Sequence, residues 1–313
     1  MAPVSTDPTL KPASTQSDRS DVGRGALLVF GAALAWSFGG AIARGLEIGD
    51  PWTIIAWRSI FAALFLIVFM LWRDGPAGTL RLFAGMGLPG IGVALCFATA
   101  SISFVVALGY TSVANILLMQ AGVPLIAALL GVVFLREAVD RVTWAAILVV
   151  IAGIAVMVSD SFAANMSFIG DGLALLIAVV FAGATVITRR FSGVRMTPAV
   201  CLGVAIATVV GVMMSSGLMV SPRDFGLLFL FGAFNLGLGM AMFATGARLI
   251  PSALAALIST MEPVLGPIWV WLIHAEVPAP RTLMGGGVVF LALIGHILWQ
   301  WSQSRRTALP LPN

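Results

Sequence analysis

SVANILLMQAGVPLIAALLGVVFLRE (residues 112–137) and SALAALISTMEPVLGPIWVWLIHAE (residues 252–276) are the two stretches that decide the fold class of this chain. Between a polar start and a final Glu, both are almost entirely apolar. An α-helix needs about 20 predominantly apolar residues to cross the hydrocarbon core of a bilayer. Both stretches therefore predict membrane-spanning helices, each with a proline inside the span and a glutamate just past its end.

The composition of the whole chain agrees with a membrane protein. Of 313 residues, 60% are hydrophobic and 10% are charged, with a mean hydropathy of +1.05. Soluble domains carry roughly 25% charged residues, so a soluble globular enzyme is excluded. Two cysteines, both inside apolar runs, do not support a disulfide scaffold, a redox pair or a metal site.

The apolar residues fall into ten runs, each long enough for a spanning helix. We expect an all-α integral membrane protein, because β-barrel strands would alternate and these runs do not. Glycines and Pro89 near the start of the third run predict a kink there. The runs are 25–44, 52–72, 82–109, 112–135, 142–159, 170–188, 198–218, 225–247, 251–273 and 282–301.

The positive charges predict the orientation, because cytoplasmic loops of membrane proteins are rich in Lys and Arg. With a cytoplasmic N-terminus, thirteen basic residues lie inside and three outside, and Arg58 lies within a span. We therefore expect both termini in the cytoplasm of a bacterial inner membrane, and the net charge of +4 indicates topology rather than nucleic-acid binding. The three outside residues are Arg44, Arg223 and Arg281.

The two stretches quoted above also belong to an internal repeat. An offset of 139 residues places Pro124 on Pro263 and Glu137 on Glu276. Five spans is an odd number, so the second half must cross the membrane inverted relative to the first, an arrangement that suits alternating access. Four segments are predicted: a disordered cytoplasmic tail over 1–23, a first five-helix repeat over 24–160, an inverted second repeat over 161–303, and a cytoplasmic tail over 304–313.

With these features the chain resembles the drug/metabolite transporter superfamily in its ten-span EamA-type branch, and within it the amino-acid exporters of the YddG type. The resemblance covers residues 25–301 and rests on the two Pro-to-Glu spans, Arg58, the Glu262–Pro263 pair and the short loops. It implies a basket of ten helices. The first, third, fourth, sixth, eighth and ninth spans would line a central cavity, the second and seventh would flank it, and the fifth and tenth would support it from outside.

Glu262 is the strongest candidate for a functional residue. A carboxylate in mid-span is costly and usually faces a cavity or a partner. Ser259, Glu262 and Gly266 share one helical face by spacing. Glu262 could bind a substrate ammonium group or carry a proton, or it could cap backbone near Pro263 or pair with an arginine.

Arg58 lies about two turns into the second span, roughly 10 Å from its outer end at 1.5 Å per residue. It could attract a substrate carboxylate. A flanking span favours a structural role, such as pairing with Glu262 or with backbone carbonyls.

The remaining cavity candidates are polar or aromatic residues of the lining spans, each of which could instead serve helix packing. Amides and hydroxyls could bind polar ligands, and aromatic rings suit aromatic or aliphatic side chains or cations. The candidates are Trp36, Ser37, Ser101, Phe104, Asn115, Met119, Gln120, Phe181, Thr185, Phe234, Asn235, Phe243, Ser259 and Trp269. Pro124, Pro251, Pro263 and Pro267 are hinge candidates, against the alternative of tolerated kinks.

These features predict a secondary transporter that exports small metabolites, most favourably neutral or aromatic amino acids. An exporter of drug-like or quaternary cations is the alternative, and a membrane-embedded enzyme on lipid-linked substrates is a distant third. We expect no enzyme activity, metal or cofactor, because no metal-ligand cluster or GxxxxGK[ST] loop is present. The expected partners are a small-molecule substrate and the lipid bilayer, with no nucleic acid, and we expect a monomer.

Overall fold

A computed structural model describes residues 15–135, 141–163, 168–191, 193–247, 249, 255, 258–259 and 261–307. Across these ranges the regular structure is entirely helical. This confirms the predicted all-α class.

The first half contains seven helices. The first span is divided between two of them, and so is the fourth. They are α1 (Thr15–Ser37), α2 (Gly39–Arg44), α3 (Pro51–Gly85), α4 (Gly87–Ala107), α5 (Val113–Gln120), α6 (Val123–Leu135) and α7 (Arg141–Ala163).

In the second half the eighth span is continuous but contains a π-helical segment, called π1 here. In the ninth span, a described helix begins at Met261. The helices are α8 (Phe168–Arg190), α9 (Thr197–Met214), α10 (Pro222–Phe229), π1 (Leu230–Leu238), α11 (Gly239–Gly246), α12 (Met261–His274) and α13 (Pro280–Thr307).

Length and hydropathy identify seven described helices, or continuous helical stretches, that could cross a membrane. The pair α5 and α6 makes an eighth if it counts as one span bent by 44°. The described apolar part of α7 is shorter than these helices. Much of 251–260, which belongs to the ninth predicted span, lies outside the described residues. A multi-pass helical membrane protein is thus established, and the count of ten spans stays a prediction.

Three boundaries differ from those expected. α1 begins at Thr15, inside the predicted tail, and α13 runs to Thr307, past the predicted start of the second tail. α3 continues beyond its span to Gly85, interrupted at Gly75, where φ is 70°. Because Gly87 also has a positive φ of 54°, the third span starts only there, and the predicted kink is a break between two helices.

The helices pack in a pattern that relates the two halves. α3 packs against α9, and α7 packs against α13. α4 packs against α8 as α1 packs against α11, and α12 contacts both α1 and α5. Small residues permit close contact: a Cβ at Gly203 of α9 would fall 2.6 Å from the carbonyl oxygen of Ala94 on α4.

The loop residues collect at two opposite ends of the bundle. At one end, called the outer end here, Arg44 contacts Glu276. At the other, Arg195 makes a bidentate ion pair with Asp74, at 2.8 and 3.1 Å. Each of these two pairs joins the first half of the chain to the second.

Candidate functional site

The first span is broken near its middle, between Ser37 and Gly39. The amide nitrogen of Asn235, on π1, donates hydrogen bonds to the carbonyl oxygens of Ala35 and Trp36 at 2.7 and 3.0 Å. Without water, an unpaired carbonyl is costly. Asn235 therefore stabilises the break, which joins the first span to the eighth.

Trp269, on α12, contacts the same break from the ninth span. Its indole Nε1 donates to the hydroxyl of Ser37 at 3.0 Å. Its ring stacks on Phe38 with 4.8 Å between ring centroids. Ser37 is fully buried and donates in turn to the carbonyl of Leu34 at 2.7 Å. The first, eighth and ninth spans thus meet at Ser37.

Trp36 and Phe243 form a second contact between the first and eighth spans. Their ring centroids lie 5.4 Å apart. Gly239 permits this packing, because a Cβ there would overlap the indole of Trp36. Three of the predicted aromatic residues, Trp36, Phe243 and Trp269, therefore surround the broken first span.

The π-helical segment π1 presents two buried side chains to different parts of the interior. Asn235 reaches the break, and Phe231 lies against Arg58 of the second span. π-Helical turns within α-helices are frequent at functional sites, because the wider turn re-aims side chains.

Arg58 is buried inside the bundle, with 6% of its surface exposed. Its Nη1 donates to the hydroxyl of Ser101 at 3.1 Å and to the Ser101 carbonyl at 3.5 Å. Its guanidinium carbon lies 4.3 Å from the ring centroid of Phe231 and 5.6 Å from that of Phe104. None of the ion pairs between described residues includes Arg58, so the alternative of a pair with Glu262 is not realised here.

Glu262 is partly buried in the first turn of α12. It shares a flank of this helix with Gly266 and Trp269, whereas the exposed Ile268 and Leu272 lie on another. Gly266 packs closely on Leu117 of α5 and faces the carbonyl of Ser37. No ion pair between described residues includes Glu262 either, so its charge is not balanced by a described arginine or lysine.

On the fourth span, Asn115 and Met119 are buried. The Asn115 amide donates to the hydroxyl of Thr111 at 3.0 Å and to the carboxylate of Asp171 on α8. Gln120 donates to the carbonyl of Ile116 at 3.5 Å, within its own helix. Asn115 therefore connects the fourth and sixth spans, while Gln120 makes a local bond.

On the sixth span, Phe181 and Thr185 share a face. Phe181 packs edge-to-face on Phe97 of α4, with 5.3 Å between centroids. Thr185 donates to the carbonyl of Phe181 at 2.9 Å and is exposed. The hydroxyl of Thr185 therefore makes a local bond within α8.

Phe234 is separate from the other candidates. It is 44% exposed and packs edge-to-face on Phe229, with 5.6 Å between centroids. Phe229 in turn contacts Phe61 of the second span. The structure thus places Phe234 on an outward-facing aromatic stack, not beside its buried neighbour Asn235.

The proline candidates take different positions. Pro124 lies just after the bend between α5 and α6, and is exposed. Pro263 is buried in the first turn of α12, and Pro267 lies inside that helix. Pro251 lies outside the described residues. Ser259 donates to the carbonyl of Ala255 at 2.9 Å, a bond within one turn.

Arg44 and Glu276 join the outer ends of four lining spans. Arg44 Nε lies 2.8 Å from Glu276 Oε2. The other guanidinium nitrogens donate to the carbonyls of Leu108 at 3.0 Å and Thr111 at 3.2 Å. Glu276 Oε1 accepts from the backbone N–H of Val113 at 3.3 Å. The first, third, fourth and ninth spans are thus held together at this end.

Asp50 connects the second and seventh spans at the same end. It accepts hydrogen bonds from the backbone of Trp52 and the hydroxyl of Thr53, and from both the backbone and the hydroxyl of Ser216. Burial by itself would raise the pKa of Asp50, but these bonds to the charged form together lower it. Asp50 therefore stays ionised while it caps α3.

Sequence reasoning missed three of these positions. It used Arg44 only to count outside charges, and it did not single out Asp171, which is 5% exposed. It did not single out His274 either, whose Nε2 lies 2.8 Å from the carbonyl oxygen of Ala41. The repeat did mark Glu276, but no sequence signal identified Arg44 as its partner.

A metal site would need several clustered ligands. Within the described ranges, no group of three His, Cys, Asp or Glu residues could hold a metal ion.

Comparisons with known proteins agree with a transporter. The profile of the EamA-like transporter family matches residues 23–159 and again residues 168–298. The pseudopaline exporter CntI of Pseudomonas aeruginosa, in strains UCBPP-PA14 and PAO1, is 26% identical over 276 residues. The alignment covers 86% of this chain and 94% of that protein.

A solved crystal structure has a similar fold. It aligns with a TM-score of 0.63 at 17% identity, over 92% of this chain and 99% of that chain. The two profile matches together span most of the sequence. The chain is therefore a member of the EamA-like transporter family, a multi-pass membrane transporter and not an enzyme.

Proposed function

We propose that the protein exports small metabolites, in the first place neutral or aromatic amino acids, by alternating access through a central cavity. The observation that carries this proposal is Glu262, a partly buried carboxylate in mid-span with no ion-pair partner among the described residues. Such a group can bind a substrate ammonium or exchange a proton. The aromatic residues Trp36, Phe243 and Trp269 near the broken first span suit an aromatic or aliphatic side chain.

The direction of transport is supported by the similarity to a pseudopaline exporter. At 26% identity this likeness supports export without naming the molecule exported here. The family itself spans many small solutes, so the substrate must be argued from the site.

Two inverted halves would supply the alternating access. The family profile matches each half once, which supports the duplication. When each span is replaced by its counterpart in the other half, the helix contacts correspond. The contact of α1 with α11 becomes the contact of α8 with α4, and the contact of α3 with α9 becomes itself. Inverted halves can exchange conformations and open a common site to either side.

The Arg44–Glu276 pair would act as a gate at the outer end in such a cycle. The Arg44–Glu276 pair and its backbone contacts join four lining spans at the outer end. We further propose that the opposite end is cytoplasmic, as the basic residues predict.

The test is uptake of labelled amino acids into proteoliposomes, with and without a proton gradient. If Glu262 carries the coupling proton, Glu262→Gln abolishes the dependence on the gradient while downhill exchange continues. Glu47→Gln is the matched control, because this substitution makes the same chemical change at an exposed position. Gradient-dependent uptake by the Glu262→Gln variant would refute the proton role, and absence of uptake for every amino acid would refute the substrate class.

Export of organic cations is the second candidate. A carboxylate beside Trp269, with Trp36 and Phe243 nearby, also suits a cation held by aromatic faces. Quaternary ammonium compounds would then compete for transport, and amino acids would not.

A further inference from the structure

We propose that Arg58 is an anion site that binds the carboxylate group of the transported molecule. Ser101 and the rings of Phe104 and Phe231 position its guanidinium. This inference rests on the proposed export of amino acids and adds to it a residue that selects molecules carrying a carboxylate.

The buried charge of Arg58 is costly without a counter-charge. Arg58 lies within a membrane span, is 6% exposed, and forms no ion pair with any described Asp or Glu. Burying an ion is unfavourable unless a counter-charge compensates it. One hydroxyl, one carbonyl at 3.5 Å and two aromatic faces are weak compensation. A carboxylate supplied by a ligand would complete the site.

One edge of the Arg58 guanidinium has no hydrogen-bond acceptor among the described residues. Among the described residues the hydrogen bonds of Arg58 are made by Nη1 alone. Its Nε is buried and has no hydrogen-bond partner. The N–H groups of Nε and Nη2 lie side by side on one edge, and this edge matches the two oxygens of a carboxylate. The residue thus presents a bidentate donor without an acceptor.

Neighbouring side chains hold the guanidinium of Arg58 in one position. Phe231 comes from π1, and Phe104 and Ser101 come from α4, so two neighbouring spans hold the guanidinium of Arg58 in place. Gly232 allows the close approach of π1, because a Cβ there would overlap the Arg58 carbonyl oxygen. A pre-positioned donor loses little side-chain entropy when an anion binds.

A cavity lies between Arg58 and the outer end of the bundle. A cavity of about 580 Å³ opens at the outer end between the first, second and third spans, with Arg44, Trp52 and Tyr110 in its walls. Its lining includes Ile54 on α3 and Val105 on α4. Arg58 and Ser101 lie four residues deeper on the same two helices, about 6 Å along each axis. Rearrangement of this apolar layer would connect Arg58 to the outside.

The test compares ligands that differ at the carboxylate. Binding of labelled L-phenylalanine to the purified full-length protein is competed with unlabelled L-phenylalanine or L-phenylalaninamide, at a mildly acidic pH where both amines are protonated. We expect the wild type to prefer the acid by at least about tenfold, because a bidentate charged hydrogen bond is lost with the amide.

Three variants test whether Arg58 causes the preference for the acid over the amide. Arg58→Met is expected to reduce this preference to less than about twofold, since neither the charge nor the donors remain. Arg58→Lys keeps the charge without the bidentate edge, so an intermediate preference is expected. Arg81→Gln is the matched control: it removes an arginine whose Nε donates to the carbonyl of Ala77 in the same helix, and it should leave the preference unchanged.

Thermal unfolding of the ligand-free proteins separates binding from a structural role. If Arg58 serves a ligand, Arg58→Met unfolds at the same or a higher temperature than the wild type, because a buried charge is removed. A lower unfolding temperature with the acid preference retained would show a structural clamp and overturn the proposal. If Arg58→Met does not fold, an unchanged preference in Arg58→Lys overturns it.

The outcomes also distinguish this inference from the proposed function. A wild type that binds phenylalanine but treats acid and amide alike refutes the anion site and leaves amino-acid export standing. A wild type that neither binds nor transports any amino acid refutes the proposed substrate class, and the assignment of Arg58 to its carboxylate with it.

Discussion

Breaking the Arg44–Glu276 pair should open the outer end of the protein. Glu276→Gln keeps the size of the side chain but removes its charge, so the ion pair with Arg44 at 2.8 Å is lost. The backbone N–H of Val113 can still donate to the amide oxygen. The two carbonyl contacts of Arg44 are also retained, so the change acts mainly on the ion pair.

The size of the effect follows from the exposure of the pair. The side chains of Arg44 and Glu276 are 32% and 26% exposed, so solvent screens part of their attraction. A fully exposed pair contributes about 0.2–1 kcal/mol, and a hydrogen bond to a charged group about 1.5–3 kcal/mol. Because this pair is partly exposed, we expect it to stabilise the closed state by about 1–2 kcal/mol. Its loss would change the ratio of closed to open protein about 5- to 30-fold.

The assay measures how fast a buried cysteine reacts from outside. Ala107→Cys is placed in a background where Cys96 and Cys201 are alanine, because Ala107 is fully buried below the pair. Glu276→Gln should then raise the rate of labelling by a membrane-impermeant maleimide by the same 5- to 30-fold, approximately. High salt should raise the wild-type rate in the same direction.

Glu47→Gln provides the control at the same end. It breaks the ion pair of Glu47 with Arg223, whose side chains are 73% and 59% exposed. Labelling of Ala107→Cys should be unaffected. If Glu276→Gln and Glu47→Gln label at equal rates, the Arg44–Glu276 pair does not hold the outer end closed.

Two further predictions concern stability. Folding lowers the pKa of Asp50 from 3.8, so its contribution to the free energy of unfolding is present above that pH and is lost as the pH falls through the lowered value. The unfolding temperature of Asp50→Asn should therefore depend less on pH in this range than that of the wild type. Identical pH profiles of the two proteins would contradict this prediction. Asn235→Ala leaves two carbonyls of the first span unpaired, so we expect a loss of about 1–3 kcal/mol in detergent unfolding. Thr208→Val, which removes a bond within one helix, is its control and should change stability little.

Much of the fold could be predicted because the bilayer imposes strong rules on sequence. Runs of apolar residues must be helical when they cross hydrocarbon, and the described helices follow the predicted runs. Local backbone events were harder to place. The kink expected in the third run became a break at Gly87, because its positive φ stops α4 from extending towards Gly85.

The candidate site could be predicted less completely. Spacing along one helix placed Glu262 with Gly266 correctly, and Trp269 continues that flank. Spacing could not show that Phe234 faces outwards while Asn235 faces inwards, because π1 changes the angle between successive side chains. It also could not identify Asn235 as the residue that pairs the carbonyls of a broken span.

The sequence by itself determined that this protein lies in a membrane, which runs of residues form its helices, and which charges lie deep in them. These properties depend on hydrophobicity summed over a run and on neighbours within one helix. Only the tertiary structure decided that Arg44 pairs with Glu276, and that Arg58 lies between two aromatic rings with a free guanidinium edge. Such contacts join residues far apart in the chain, so they exist only once the helices have packed.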